Sequence, residues 1–182
     1  MNLLENNPII AAVRTSRELE AALKASVGLI FLLNGNVLSL REDIRHTHEA
    51  GKRLFVHIDL AEGIGKDNAG IGYLSKLGAD GIISTRSSLI RAAKEWGLET
   101  VQRFFIVDSH SVDTAIDAIH SCEPSMAELM PGVIAKVIQR FSQSVDMPVI
   151  AGGLIETKEE IIRAISAGAA AISTARRDLW EK

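Results

Sequence analysis

Short apolar runs alternate with helix-period segments from one end of this chain to the other, and that alternation constrains the fold more than any other feature. Strands are expected near Ile9–Val13, Gly28–Leu33, Arg53–Leu60, Gly81–Ser84, Val101–Asp108, Met126–Met130, Pro148–Ala151 and Ala170–Ser173. Helical patterns fill the gaps at Ser16–Ala25, Arg41–Ala50, Asn68–Leu77, Ser88–Trp96, Val112–His120, Val133–Ser142 and Lys158–Ala167. Three helix starts pair a hydroxyl residue with a glutamate three places on, the pattern of a capping box: Thr15–Glu18, Ser39–Glu42 and Thr157–Glu160. Glycines stand where helices should stop, at Gly28, Gly51, Gly78, Gly97 and Gly168. Strict strand–helix alternation calls for a parallel sheet.

An internal similarity narrows the choice. GADGIISTR (78–86) resembles GAAAISTAR (168–176), and their Ile-Ser-Thr triplets lie 89 residues apart, close to half of the 182-residue chain. Four βα units repeated once give an α/β fold closed as a (β/α)8 TIM-type barrel in a single domain, residues 1–182. A doubly wound open sheet is the alternative. The barrel typically takes ~250 residues, so loops must be minimal. Only Ala175–Lys182 remain for a last helix, which is therefore short or truncated.

Composition excludes several classes. No apolar run is long enough to span a bilayer. MNLLENNPII lacks a basic, then apolar, leader pattern. A lone cysteine, Cys122, cannot form an internal disulfide and fits a reducing compartment, so the cytoplasm is the expected location. A net charge of −3 carries no basic footprint of a nucleic-acid binder. With eight aromatic residues, a stacking platform for single strands is not evident either.

Barrel chemistry gathers at the C-terminal ends of strands, and strand side chains alternate between faces. In LFVHIDL, Val56, Ile58 and Leu60 form an apolar face for the helices, and Phe55, His57 and Asp59 face the interior. Glu128 shares a face with Met126 and Met130. Gln102, Phe104, Ile106 and Asp108 share another. Arg14 ends the first strand on the face of Ile10 and Ala12. Polar groups thus converge where an unpaired charge is costly. They form either a ligand site or a self-satisfied network.

The stretch VIAGGLIET (149–157) breaks an apolar run with Gly152 and Gly153, and Ser173, Thr174 and Ala175 follow the next expected strand. Loops after the seventh and eighth strands of such barrels often bind phosphate. Bare backbone donors can then approach an anion and a helix end adds positive potential, with Arg176 as a further cation. The bland alternative is a tight turn. His46 and His48, two apart on a helix, make a poor metal site, and Cys122 has no evident partner. Residues 61–72, rich in glycine, are either a mobile lid or a long connection. Arg86 ends the fourth strand segment as a ligand contact or a solvated residue.

HIDLAEGIG (57–65), GIISTRSS (81–88), VQRFFIVD (101–108), ELMPGVI (128–134) and AGGLIETKEEI (151–161) together resemble the glycerol-3-phosphate-responsive antiterminator family, over nearly the whole chain. The resemblance implies the same barrel and a regulator rather than an enzyme. It further implies an effector, glycerol-3-phosphate, and a target, the leader messenger RNA of glycerol-utilisation operons, with no cofactor and no metal. It carries phosphate binding onto Gly152, Gly153, Ser173 and Thr174, and polyol binding onto Arg14, His57, Asp59 and Glu128. A basic rim of Lys66, Arg86, Arg176 and Arg177 is the candidate RNA contact. The alternatives are an enzyme acting on a small phosphorylated polyol, with His57 and Glu128 as acid and base, and a metabolite-binding partner of other proteins. Fold does not choose between them, and the sequence gives no oligomeric state.

Overall fold

In the computed structural model, which describes residues 7–181, the eight apolar runs become eight parallel strands. They are β1 (Ile9–Val13), β2 (Leu29–Leu32), β3 (Arg53–His57), β4 (Gly81–Ser84), β5 (Glu99–Phe105), β6 (Met126–Met130), β7 (Val149–Gly152) and β8 (Ala171–Thr174). Each pairs with its neighbours in sequence, and β8 closes onto β1 to complete the barrel. Seven helices cover the outside: α1 (Ser16–Lys24), α2 (Leu40–Glu49), α3 (Asn68–Leu77), α4 (Ser87–Glu95), α5 (Ser109–Cys122), α6 (Ala135–Ser142) and α7 (Lys158–Ser166). The open-sheet alternative is excluded by closure. The leader-free reading of MNLLENNPII falls in part on residues 1–6, which lie outside the described residues.

Alternation along each strand sorts side chains between two cores. Ile10, Leu29, Phe31, Phe55, Ile83, Val101, Met126, Ile150 and Ala171 fill the barrel interior. Phe31 and Phe55 stack there with ring centroids 5.9 Å apart. Gly81 makes room for them, since a Cβ at that position would lie 2.8 Å from Cζ of Phe55. The opposite strand faces meet the amphipathic stripes of the helices.

Two expected capping boxes form, at Thr15–Glu18 and Thr157–Glu160. The third does not: Ser39 adopts helical angles and makes no cap bond. Its hydroxyl donates instead to Asp43 (3.0 Å). A box not anticipated forms at Asp108–Ser111. Asp108 is therefore a helix cap rather than a strand residue, and the fifth strand ends at Phe105.

Among the described residues no α-helix follows β8. A single 3-10 turn, Arg177–Leu179, leads to Trp180, which is 1% exposed and joins the core under α1 and α2. Its indole donates to the Thr174 carbonyl (2.9 Å), and its own carbonyl accepts from Ser26 (3.0 Å). One large aromatic thus covers the seam between β8 and β1 where a helix would otherwise lie.

The glycine-rich segment 61–72 is less open than its composition implies. Gly70 and Gly72 lie inside α3. Gly72 gives way to Trp96, whose Cζ2 would be 2.7 Å from a Cβ there. The loop proper is tied to the β2–α2 connection. Glu62 donates its N–H to Gly35 (2.8 Å), Val37 donates to Glu62 (3.0 Å), and Asn36 reaches the Glu62 carboxylate (2.9 Å). Those bonds argue against a free lid.

Candidate functional site

Toward the C-terminal ends of the strands the interior turns polar. His57, Arg103, Glu128 and Ser173 are all buried there. The centre of this layer is an ion pair: Arg103 Nε donates to Glu128 Oε2 at 2.6 Å, with the two side chains 7% and 0% exposed. Arg103 and Glu128 are register partners across β5 and β6, so sheet geometry itself aligns them. Sequence reasoning missed Arg103. The face it singled out on β5 points outward. Phe104 packs against Phe141 with centroids 6.1 Å apart, and Gln102 accepts from the buried thiol of Cys122 (2.7 Å). Burial raises the pKa of that thiol, which disfavours the reactive thiolate, and Gln102 is the partner the sequence did not reveal. The available signal was Glu128 itself, because an inward acid on β6 needs a cation, and the β5 segment holds one.

A cavity of about 220 Å³ opens above this pair. Its walls come from the ends of β1, β6, β7 and β8: Arg14, Glu128, Gly153, Ser173, Thr174 and Arg176, with Arg103 at the floor. Five expected site residues are thus brought together with Arg176 of the expected rim. Gly152 ends β7 directly beneath, and the space its side chain would fill holds Glu128 Oε1. Gly153 has φ +75° and Leu154 φ +61°, two successive left-handed residues. For leucine this conformation is uncommon and strained. The N–H groups of Gly153, Leu154, Ile155 and Ala175 find no protein acceptor among the described residues. All four residues line the cavity.

Three expectations change here. Ser173 and Thr174 belong to β8 rather than to a following loop. The Thr174 hydroxyl is already engaged, donating to the Ile155 carbonyl (3.0 Å) and accepting from the Arg176 N–H (3.1 Å). No helix end adds potential, since only a 3-10 turn follows β8 and the Thr157–Glu160 box occupies the start of α7. Loop amides and arginines remain as the anion-binding elements.

His57 and Asp59 lie apart from this cavity. β3 ends at His57, and Ile58–Leu60 form a 3-10 turn, so Asp59 leaves the strand alternation. Its carboxylate accepts from Ser84 Oγ (3.0 and 3.1 Å), the Thr85 N–H (2.7 Å) and Thr85 Oγ1 (3.1 Å), and meets Arg86 Nε at 3.6 Å. His57 Nδ1 is buried without a hydrogen-bond partner among the described residues. Burial, and secondarily the positive charge of Arg103, push its pKa down to about 4, so the ring is neutral near pH 7.

The rim cations are partly committed. Lys66 donates to the Ala61 carbonyl, and burial lowers its pKa. Arg176 is forked onto Asp178 (3.0 and 3.1 Å), while Arg177 is exposed. His46 sits beside Arg45, and His48 bonds Asp80 at 2.9 Å across to the β3–β4 side. No helix among the described residues is long and apolar enough to cross a membrane.

Comparison with known proteins places the chain in a family. The family model described as glycerol-3-phosphate responsive antiterminator matches residues 9–180. The Escherichia coli K12 protein YgcP is 35% identical over 181 residues, covering 99% of this chain and 95% of that protein. The solved glycerol uptake operon antiterminator regulatory protein of Listeria monocytogenes str. 4b F2365 superposes with a TM-score of 0.91 at 34% identity, over 96% of this chain and 95% of that one. An antiterminator-related protein from Thermotoga maritima MSB8 gives 0.85 at 33% identity, over 94% and 96%. The chain belongs to the glycerol-3-phosphate responsive antiterminator family.

Proposed function

We propose that this protein is a transcription antitermination regulator rather than a catalyst. It binds glycerol-3-phosphate in the cavity at the C-terminal face and then acts on leader messenger RNA of a glycerol-utilisation operon. The observation that carries this reading is the composition of the cavity wall. Bare amides of Gly153–Ile155 and Ala175, with Ser173, Arg14 and Arg176, suit a phosphate, and a polar floor of Arg103 and Glu128 lies below. His57 and Asp59 then support the site from outside the cavity rather than touching the ligand.

RNA contact is assigned to the same face. Lys66, Arg86 and Arg177 supply local positive charge on a chain of net charge −3. Phe105, 60% exposed at the end of β5, offers an aromatic surface to an unpaired base. Action on a nascent transcript places the protein in the cytoplasm. Calorimetry with glycerol-3-phosphate, followed by a gel-shift with leader RNA in its presence and absence, tests the reading. Ligand-dependent RNA binding is expected. Turnover of a polyol phosphate without RNA binding would establish the enzyme alternative instead.

A further inference from the structure

The floor of the cavity sets one acceptor beside a group of donors. Glu128 is 0% exposed, with Oε2 committed to Arg103 and Oε1 without a hydrogen-bond partner among the described residues. Among the described residues, the bond to Glu128 is the one protein hydrogen bond of the Arg103 guanidinium, which lines the cavity with its remaining N–H groups. A buried acceptor left unpaired is costly, and the cost is recovered by whatever donor completes it. The last torsion of a glutamate is soft. The carboxylate can therefore turn an oxygen from its seat against Gly152 toward a donor entering above, while Arg103 keeps hold of the other.

We infer that the Arg103–Glu128 pair selects ligands by the oxidation state of the carbon next to the phosphate-bearing one, taking a hydroxyl there and refusing a carbonyl or a carboxylate. A hydroxyl is the group that both accepts, from Arg103, and donates, to Glu128. A ketone only accepts and leaves Glu128 unpaired. A carboxylate brings a second negative charge against a buried one. A site built around a hydroxyl rejects analogues lacking it far more strongly than an apolar pocket rejects a change of size. This inference rests on the reading of the cavity as a phosphate site. It adds that the protein senses the reduced three-carbon phosphate specifically, and not triose phosphates as a class.

The test is calorimetry on the full chain with four probes: glycerol-3-phosphate, its ketone analogue dihydroxyacetone phosphate, 2-phosphoglycolate, whose carboxylate stands next to the phosphate-bearing carbon, and inorganic phosphate. Glycerol-3-phosphate should bind at least tenfold more tightly than the ketone, and 2-phosphoglycolate more weakly still. In Glu128→Gln the amide can donate to a carbonyl, so the ratio of alcohol to ketone affinity should fall toward one or invert. If that variant does not fold, the wild-type ratio decides alone. Equal binding of alcohol and ketone, or an unchanged ratio in Glu128→Gln, would overturn the selection while leaving the phosphate site in place. Absence of binding by all four probes would overturn both.

Discussion

Gly152 lacks a side chain where Glu128 needs the room: a Cβ there would lie 2.4 Å from Oε1 of the buried carboxylate. The Gly152 backbone is not in the left-handed region, so Gly152→Ala adds crowding and nothing else. The methyl should push Glu128 off Arg103 and cost ~1–3 kcal/mol, the range for disturbing a buried charged hydrogen bond. Glu128→Asp withdraws the carboxylate by one methylene. The double variant should therefore recover part of the loss, a non-additivity readable from urea midpoints. Simple additivity would show that the two residues do not meet.

Gly153 fails differently. Its φ of +75° is unfavourable for any side chain, and a Cβ would lie 2.7 Å from the Met130 methyl. Gly153→Val should therefore lose of order 1–3 kcal/mol of stability along with binding. Ser173→Ala is the cleaner probe, since the side chain lines the cavity. We expect weaker glycerol-3-phosphate binding by ~0.5–1.5 kcal/mol with an unchanged melting midpoint. Unchanged affinity would remove Ser173 from the site.

The barrel was legible because strand period and helix period alternate with little ambiguity, and β1, β4, β6 and α3 form between the residues expected. Strand ends were less legible. A period-two pattern continues through LFVHIDL, yet Ile58–Leu60 coil into a 3-10 turn that hands Asp59 to Ser84 and Thr85. On β5 both faces mix polar with apolar residues, so Arg103 could be phased only through its register with Glu128. Gly152 and Gly153 were readable as a close approach. That Gly152 accommodates the protein's own carboxylate was not, because the partner lies on another strand.

Trp180 takes the place of the missing helix. Trp180→Ala should cost ~3–5 kcal/mol, the usual loss for truncating a buried large aromatic, and expose the β8–β1 seam. Trp180→Phe keeps most of the packing and loses only the bond to the Thr174 carbonyl. It should cost nearer ~1 kcal/mol. Denaturant midpoints separate the two, and equal losses would mean that the hydrogen bond rather than the packing matters.

Cavity and rim share Arg176, which lines the former and sits beside exposed Arg177 on the latter. If ligand strengthens RNA binding, RNA must strengthen ligand binding by the same factor. Arg177→Glu should weaken RNA binding and flatten its salt dependence, leaving glycerol-3-phosphate affinity in the absence of RNA unchanged. Gel-shifts at several salt concentrations, paired with calorimetry, check both. RNA affinity indifferent to ligand would remove the coupling.

His57 should write a signature into the acid limb of the stability curve. Its folded pKa is about 4 against an ordinary value of 6.5. Arg103 and Lys66 oppose its protonation and Asp59 favours it, with burial the largest influence. Between pH 6.5 and pH 4 the unfolded chain takes up a proton that the folded chain refuses. Stability therefore falls as pH falls through that window, and His57 has no effect above it. The loss attributable to His57 should be about 2 kcal/mol on going from pH 7.5 to pH 5. Titrating carboxylates also contribute, so the comparison is with His57→Gln, which keeps a polar group of similar size but cannot charge. The variant should lose less stability than the parent between those pH values. Parallel curves for the two proteins would mean that His57 protonates in the folded barrel as readily as it does in water.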